Sequence, residues 1–450
     1  MIHTLDGTVT AGQAREEAAG WAARLGEAGV GPGNAVVVRL PNHPSFVTAM
    51  FGIWSVDAVL VPGNPRQPEG ELRHTLDTVR PAAVLDGAAL ARTEGPTATY
   101  ERGVAFVTWT SGTTGAPRPI LHAHGGYLEL LDRVLGSIRS RPPDPERPPP
   151  PNLVPVSLAL NAGLYQVLFG LRAGTALVLM ERFETEAFAE LVRRHQIRST
   201  VLPPAAMVML TDDPAVTDLS PLRYVRSITA PLSPLAARRF ADRFGVVVLN
   251  SYGQAEIGEV VGWTAEDART HPDKLGAAGR PHRNVALRVV DAAGEEVPEG
   301  AVGELLVRPP RMAVGYAGGS ELADRVDGDG FVRTGDYARI DADGFVWIEG
   351  RVSDVINRGG NKVFPDQVEE VLRLSPGVSE AAVVGVPDPR LGEVPVAFVV
   401  GDAGDDELEE LCRRHLTPYK VPVAFRLLPA LPRSEVGKVL RRELAAGWEG

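Results

Sequence analysis

The densest chemistry in the sequence lies in Phe106-Val107-Thr108-Trp109-Thr110-Ser111-Gly112-Thr113-Thr114-Gly115-Ala116-Pro117-Arg118. A short apolar run, patterned as a buried strand, leads into hydroxyls and glycines. Glycine lets the backbone turn sharply and aim successive N–H groups into one concavity, which suits an anion. Thr110, Ser111, Thr113 and Thr114 add hydroxyl donors around Gly112. Arg118 adds a rigid fork of N–H groups matched to phosphate. The segment reads as a loop that wraps nucleotide phosphates, but its spacing is not the GxxxxGK[ST] of P-loop enzymes. Lysine is scarce: it occurs only as Lys274, Lys362, Lys420 and Lys438, and the other 42 of the 46 basic residues are arginine. Biased codon usage accounts for the imbalance, yet a compact, reorientable ammonium is something arginine cannot supply. Lys274 and Lys420 read as surface residues, while Lys438 sits beside Gly437.

These residues need rigid elements behind them. Apolar runs of strand length, such as Ala35–Leu40, Ala58–Pro62, Ala82–Leu85, Ala176–Met180, Ser199–Leu202, Val225–Thr229 and Val246–Leu249, alternate with helical spacing at Ala14–Leu25, Pro44–Val56, Glu186–His195 and Pro234–Phe244. Such alternation predicts an α/β fold with a largely parallel sheet. Ala286–Val290 and Gly303–Val307, then Gly330–Arg333 and Gly344–Ile348, predict a small antiparallel subdomain. Beyond Arg351, a helix at Pro365–Leu374, strands at Glu380–Val386 and Val394–Val400, a helix at Asp405–His415 and a basic tail predict a compact β/α domain. The proline-rich stretch from Arg141 to Pro151 reads as an extended surface loop.

Composition narrows the function classes. The 450 residues carry a formal charge of −11, which argues against a general nucleic-acid binder. The single cysteine, Cys412, excludes an intrachain disulfide framework and a cysteine-ligated zinc, and reads as an inert thiol on a helix. No apolar stretch reaches the ~18 residues of a membrane span, and no signal peptide is visible, so a cytoplasmic protein is expected.

The loop at 106–118 resembles the phosphate loop of the adenylate-forming superfamily, which includes acyl- and aryl-CoA ligases, peptide-synthetase adenylation domains and luciferases. Its usual Pro-Lys ending is Pro117-Arg118 here. Further motifs follow in the family's order. Asn250-Ser251-Tyr252-Gly253-Gln254-Ala255-Glu256 resembles the YGxTE motif, with Ala255 where threonine is usual. The resemblance implies that Tyr252 stacks on adenine and that Glu256 helps hold Mg²⁺, whose preference is for hard oxygen ligands. Ala230 and Pro231 match an adenine wall. Thr334-Gly335-Asp336 with Gly350-Arg351 resembles the ribose-binding pair. Gly350-Arg351-Val352-Ser353-Asp354 resembles the interdomain hinge, and Asn357–Pro365, with Gly359 and Gly360, resembles the segment that meets acceptor pantetheine. After Pro365 the familiar Glu is Gln367. Leu431–Lys438 resembles the final motif, whose lysine serves the first half-reaction.

The resemblance therefore implies a large N-terminal domain (1–350) of mixed and parallel sheets with helices and a small β subdomain. It implies a hinge (351–354) and a small mobile α+β C-terminal domain (355–450). Lys438, Glu256 and Thr110 would be catalytic. Thr110–Thr114, Arg118, Ala230, Pro231, Asn250–Ala255, Asp336, Arg351 and Lys438 would hold ATP with Mg²⁺. Leu160, Asn161, Thr229 and Ile257 would face the acid. The region Pro155–Gly163 lacks the Asp that binds an amino-acid ammonium and the His frequent in CoA ligases. An aryl or alkyl carboxylic acid fits it best, with Asn161 as a polar reader. The expected acceptor is the thiol of CoA. A carrier-protein pantetheine, an unusual nitrogen or oxyanion chemistry, and a non-catalytic nucleotide-binding role are the alternatives.

Overall fold

A computed structural model describes residues 1–109, 118–138, 149–317, 322–433 and 439–448. The phosphate-loop calls Thr110, Ser111, Gly112, Thr113 and Thr114, the tail lysine Lys438, and most of the proline-rich stretch lie outside the described residues. The chain divides into two compact units, one of residues 1–286 and 307–332, the other of residues 287–306 and 333–450.

The first unit is α/β, as the alternating runs predict, and among the described residues it holds two large sheets. One has seven strands in the order 315–316, 119–123, 104–109, 59–62, 35–39, 83–86, 89–92. Its centre is parallel, Ala35–Arg39 pairing with both Val59–Pro62 and Ala83–Asp86. Ala35, Val36, Val37 and Val38 are fully buried, which is why this strand reads as an unbroken apolar run and not as an alternation. The other sheet has nine strands, with 152–154, 199–202, 224–227 and 247–254 parallel neighbours at its centre.

One apolar cluster joins strands of both sheets to four helices, Ala11–Glu27, Pro44–Ser55, His124–Ile138 and Asn161–Arg172. Local signals start the first two where the sequence asks for them. Thr10 and Gln13 form a capping box on the first, and His43 caps the second with Pro44 at its first turn. Buried Asn42 ties the two sheets together. Its amide donates to the Val156 and Met180 carbonyls at 2.8 and 3.1 Å, and its oxygen accepts from Leu158 N–H at 2.7 Å.

The second unit combines a small sheet (286–290, 303–308, 332–340, 346–351) with an α+β part. In that part, Val378–Asp388 and Gly392–Gly401 form an antiparallel pair backed by helices Pro365–Leu372 and Asp405–His415. Cys412 is buried there, and burial pushes its thiol up to about 11, so it is the inert thiol expected. Among the described residues no helix is long and apolar enough to cross a membrane.

Candidate active site

The candidate residues of the first unit gather at strand ends. Strands 152–154, 224–227 and 247–254 run parallel, and their carboxyl ends release Pro155–Gly163, Thr229–Pro231 and the Tyr252 motif in turn. Carboxyl ends of parallel strands are where α/β sheets leave a ligand crevice. Thr229 takes a left-handed φ of 77°, which stops the strand short of the predicted Val225–Thr229 and leaves Thr229, Ala230 and Pro231 exposed. Ser251 Oγ donates to the Ser227 carbonyl at 2.9 Å, so the motif's entry is held against the neighbouring strand. The Tyr252 strand then folds back on Gly258–Gly262. The two backbones approach so closely that a Cβ on Gly253 would lie 2.2 Å from the Gly258 carbonyl oxygen.

At the motif's end Glu256 is buried, and its surroundings were not legible in the sequence. Tyr316 Oη donates to Glu256 Oε1 at 2.9 Å, and Arg325 Nη1 donates to the same oxygen at 3.0 Å. Arg325 Nη2 donates to Gln254 Oε1 at 3.0 Å. Burial works against the Arg325 charge, but Tyr316 and Glu256 outweigh it and hold the guanidinium above its ordinary range. Burial, then the Glu256 carboxylate, push the Tyr316 hydroxyl up.

The phosphate loop joins this cluster through its flanks. Strands 104–109 and 119–123 run antiparallel, and Trp109 pairs with Pro119, so the two flanks of residues 110–117 stand side by side. Tyr316 lies on the next strand, opposite Ile120. The exposed Arg118 guanidinium stands 5.8 Å from the Tyr316 ring centre. Arg118 and Glu256, 138 positions apart, thus meet the two sides of one tyrosine.

These residues fit a magnesium ion in a limited way. Glu256 offers hard carboxylate oxygen, but no group of three or more His, Cys, Asp or Glu able to hold a metal occurs among the described residues. Mg²⁺ characteristically takes one or two carboxylates and completes its shell with phosphate oxygens and water. Glu256 suits an ion that arrives with a triphosphate.

Around the predicted acid residues the structure adds polar groups. Leu160 is exposed, 54% of its surface being open to solvent, and Asn161 begins the helix behind it. Buried Tyr127 donates to Asn161 Oδ1 at 3.2 Å, and burial holds its hydroxyl far above its ordinary value. Ile257 is buried. Two residues further, Glu259 binds Arg226 at 2.6 Å and His282 at 2.9 Å, with Tyr165 Oη at 3.5 Å. Burial would raise the Glu259 carboxyl, but Arg226 and His282 outweigh it and hold it below the usual range.

In the second unit Asp336 and Arg351 are register partners in neighbouring strands, and Arg351 Nε meets buried Asp336 Oδ1 at 2.8 Å. Lys362 Nζ donates to Tyr337 Oη at 2.7 Å, beside Asp336. Gly359 and Gly360, with φ of 56° and 86°, form the two-residue turn between Ile356–Arg358 and Asn361–Val363. Two successive left-handed residues are what a type I′ hairpin turn requires, so Gly-Gly here exposes bare backbone at an edge. Lys420 departs from the surface reading: it is half-buried and donates at 2.7 Å to Gln367, which in turn donates to Glu349. In the tail, Arg433 pairs with Val439. Arg441 just beyond it is fixed to Asp366 at 3.1 Å and to Glu369.

The sequence matches the family model described as AMP-binding enzyme over residues 2–101 and 88–317, and that of the AMP-binding enzyme C-terminal domain over 367–438. The chain belongs to the family of AMP-binding enzymes. A feruloyl-CoA synthase of an Amycolatopsis species is 32% identical, over 93% of this chain and 90% of that enzyme. The fatty acid–acyl-carrier-protein ligase ScoC of Streptomyces coeruleorubidus is 30% identical, over 97% of this chain and 91% of its own length. Among solved structures, the amide bond synthetase McbA from Marinactinospora thermotolerans superposes with a TM-score of 0.85 at 28% identity, covering 99% of this chain and 96% of that one. The order of motifs in this AMP-binding enzyme and its two-unit α/β architecture are those of the adenylate-forming superfamily.

Proposed function

We propose that this AMP-binding enzyme activates a carboxylic acid with ATP, releasing pyrophosphate, and passes the acyl group from the acyl-adenylate to the thiol of CoA. The observation that carries the reading is the convergence of Arg118, Tyr316 and Glu256, which joins the phosphate loop to the adenine motif. In the first step a carboxylate oxygen attacks the α-phosphorus, and the bond to the bridging oxygen of pyrophosphate breaks. The hydroxyls of Thr110–Thr114 and the Arg118 guanidinium hold the leaving phosphates. Tyr252 faces adenine, with Ala230 and Pro231 as the opposite wall, and Asp336 and Arg351 take the ribose hydroxyls. Lys438 brings its ammonium between carboxylate and α-phosphate, offsetting the repulsion of two anions. Magnesium, bound with the triphosphate at Glu256, supplies charge neutralisation.

In the second step the CoA sulfur attacks the acyl carbonyl and AMP leaves. The Gly359–Gly360 turn offers backbone that pantetheine can approach. Residues 1–350 act as the adenylation core, 351–354 as hinge and 355–450 as the moving domain, in a cytoplasmic enzyme where ATP and CoA are at hand. The acid is an aryl or alkyl carboxylic acid read by Asn161, which Tyr127 holds in place, alongside Leu160, Thr229 and Ile257. The ScoC relative supports a carrier-protein thiol as the second acceptor to test, and the amide bond synthetase relative supports an amine.

Replacing Lys438 with Ala is expected to lower acid-dependent ATP–pyrophosphate exchange at least about 100-fold while sparing transfer from a supplied acyl-adenylate. Removing one group that stabilises developing charge typically costs about 100- to 1,000-fold. Equal loss in both assays contradicts the assignment of Lys438 to the first step. Thioester, carrier adduct or amide, resolved by mass spectrometry with each acceptor in turn, identifies the second substrate.

A further inference from the structure

Arg325 stands apart from every motif named above, in the short turn Leu322–Arg325, yet it bonds two side chains of the adenine motif. One nitrogen of its guanidinium donates to Glu256 Oε1 at 3.0 Å and the other to Gln254 Oε1 at 3.0 Å. These two partners flank Ala255, the position where threonine is usual. The Ala255 methyl packs instead against the cluster of Ile120, Tyr316 and Leu322, so a hydroxyl has given way to an apolar contact beside an ion pair.

Two consequences follow. Arginine keeps its charge under all ordinary conditions, so Glu256 is neutralised whether or not a metal is present. A carboxylate that already shares an oxygen with a guanidinium and a tyrosine hydroxyl is also a weaker donor to a cation than an isolated one. The Arg325 side chain is 27% exposed and that of Glu256 10%, so solvent screens the pair only in part.

We infer that Arg325 is a positioning residue that fixes Gln254 and Glu256 on either side of Ala255 and acts as a resident counter-ion to Glu256. Nucleotide is thereby admitted without repulsion from the carboxylate, and the metal is gripped loosely. This inference rests on the proposed role of Glu256 at the metal. It makes a prediction of opposite signs that a purely structural role does not make. Removing the guanidinium leaves Glu256 with the neutral Tyr316 hydroxyl but without that counter-ion, so metal-free ATP binds more weakly. The same carboxylate, no longer paired with Arg325, holds Mg²⁺ more tightly.

The test is calorimetric titration of the full-length enzyme with ATP, without acid so that no turnover occurs, first in EDTA and then across a Mg²⁺ series. Wild type is compared with Arg325→Met, which keeps the bulk without the charge, and with Arg325→Lys, which keeps the charge. The expected result for Arg325→Met is about tenfold weaker metal-free ATP binding, with half-saturating Mg²⁺ falling about threefold to tenfold. Arg325→Lys should restore most of the metal-free affinity. Binding that weakens by the same factor with and without metal overturns the inference, because that is the signature of lost packing. Unchanged binding in both conditions overturns it too. If wild type binds ATP indifferently to Mg²⁺, the metal role of Glu256 fails, and the inference with it.

Discussion

His122 shows how a single side chain constrains the chain around the phosphate loop. It lies four residues beyond Arg118, buried, with Nε2 2.8 Å from Thr108 Oγ1 and its ring stacked on Phe106 at 4.7 Å. Burial lowers its pKa from 6.5 to about 3. The folded protein therefore refuses a proton that the unfolded chain accepts below about 6.5. Stability attributable to the neutral ring is complete above that value and is lost as the pH falls from 6.5 toward 3. Replacing His122 with Gln removes this linkage. The stability advantage of wild type over the variant should shrink across that window by up to about 5 kcal/mol, at about 1.4 kcal/mol for each pH unit. Denaturant midpoints at a series of pH values check it, and parallel curves for the two proteins contradict it. Tyr316 and Arg325 carry a different lesson at this scale. Both touch Glu256, yet they lie 60 and 69 positions from it along the chain. No local pattern marks either one, because the fold alone brings them there.

Among the elements, many strands and several helices were readable, while others, the capped helix Ala265–Thr270 among them, were not. Ala35–Arg39, Val59–Pro62 and Ser199–Leu202 appear within a residue of their apolar runs. Pro234–Phe244 appears with Ser233 as its cap and Gly245 in the left-handed region after it. Asn161–Arg172 and Pro204–Asp212 went unread as helices. Both are apolar on several faces, the first burying Gly163 through Val167 in succession, so no polar stripe exposes a helical period. The hairpin that carries the adenine motif depends on a close approach that only glycine permits. Gly253→Ala would place a methyl 2.2 Å from the Gly258 oxygen and 2.7 Å from the Glu259 Cα, both backbone atoms. It should cost about 2–3 kcal/mol and displace Glu256. Gly7→Ala, at an exposed position with nothing within 4 Å of the added carbon, is the control. Equal melting temperatures and equal exchange rates for the two variants contradict this account.

For the whole molecule, the order of motifs was legible because each carries its own local pattern of glycine, hydroxyl and charged residues. What remained illegible was the lining. The Pro155–Gly163 segment reads as small and apolar, whereas the structure sets Tyr127 on Asn161 and collects Glu259, Arg226 and His282 close by. Those partners come from separate strands and helices, so sequence spacing carries no trace of their meeting. The arginine excess also takes on meaning at this scale. Arg118, Arg226, Arg325, Arg351 and Arg441 each make a specific contact, while Lys362 and Lys420 donate to Tyr337 and Gln367. The role proposed for Lys438 in the first step calls for a compact ammonium rather than a guanidinium.

Acid activation through an acyl-adenylate is read out by ATP–pyrophosphate exchange with purified enzyme, Mg²⁺ and a panel of aryl, alkyl and amino acids. Exchange should depend on a carboxylic acid, favour aryl or alkyl acids over α-amino acids, and vanish without Mg²⁺. Absence of exchange with every acid, under conditions where the protein still binds ATP, would contradict it and leave a nucleotide-binding protein without the chemistry.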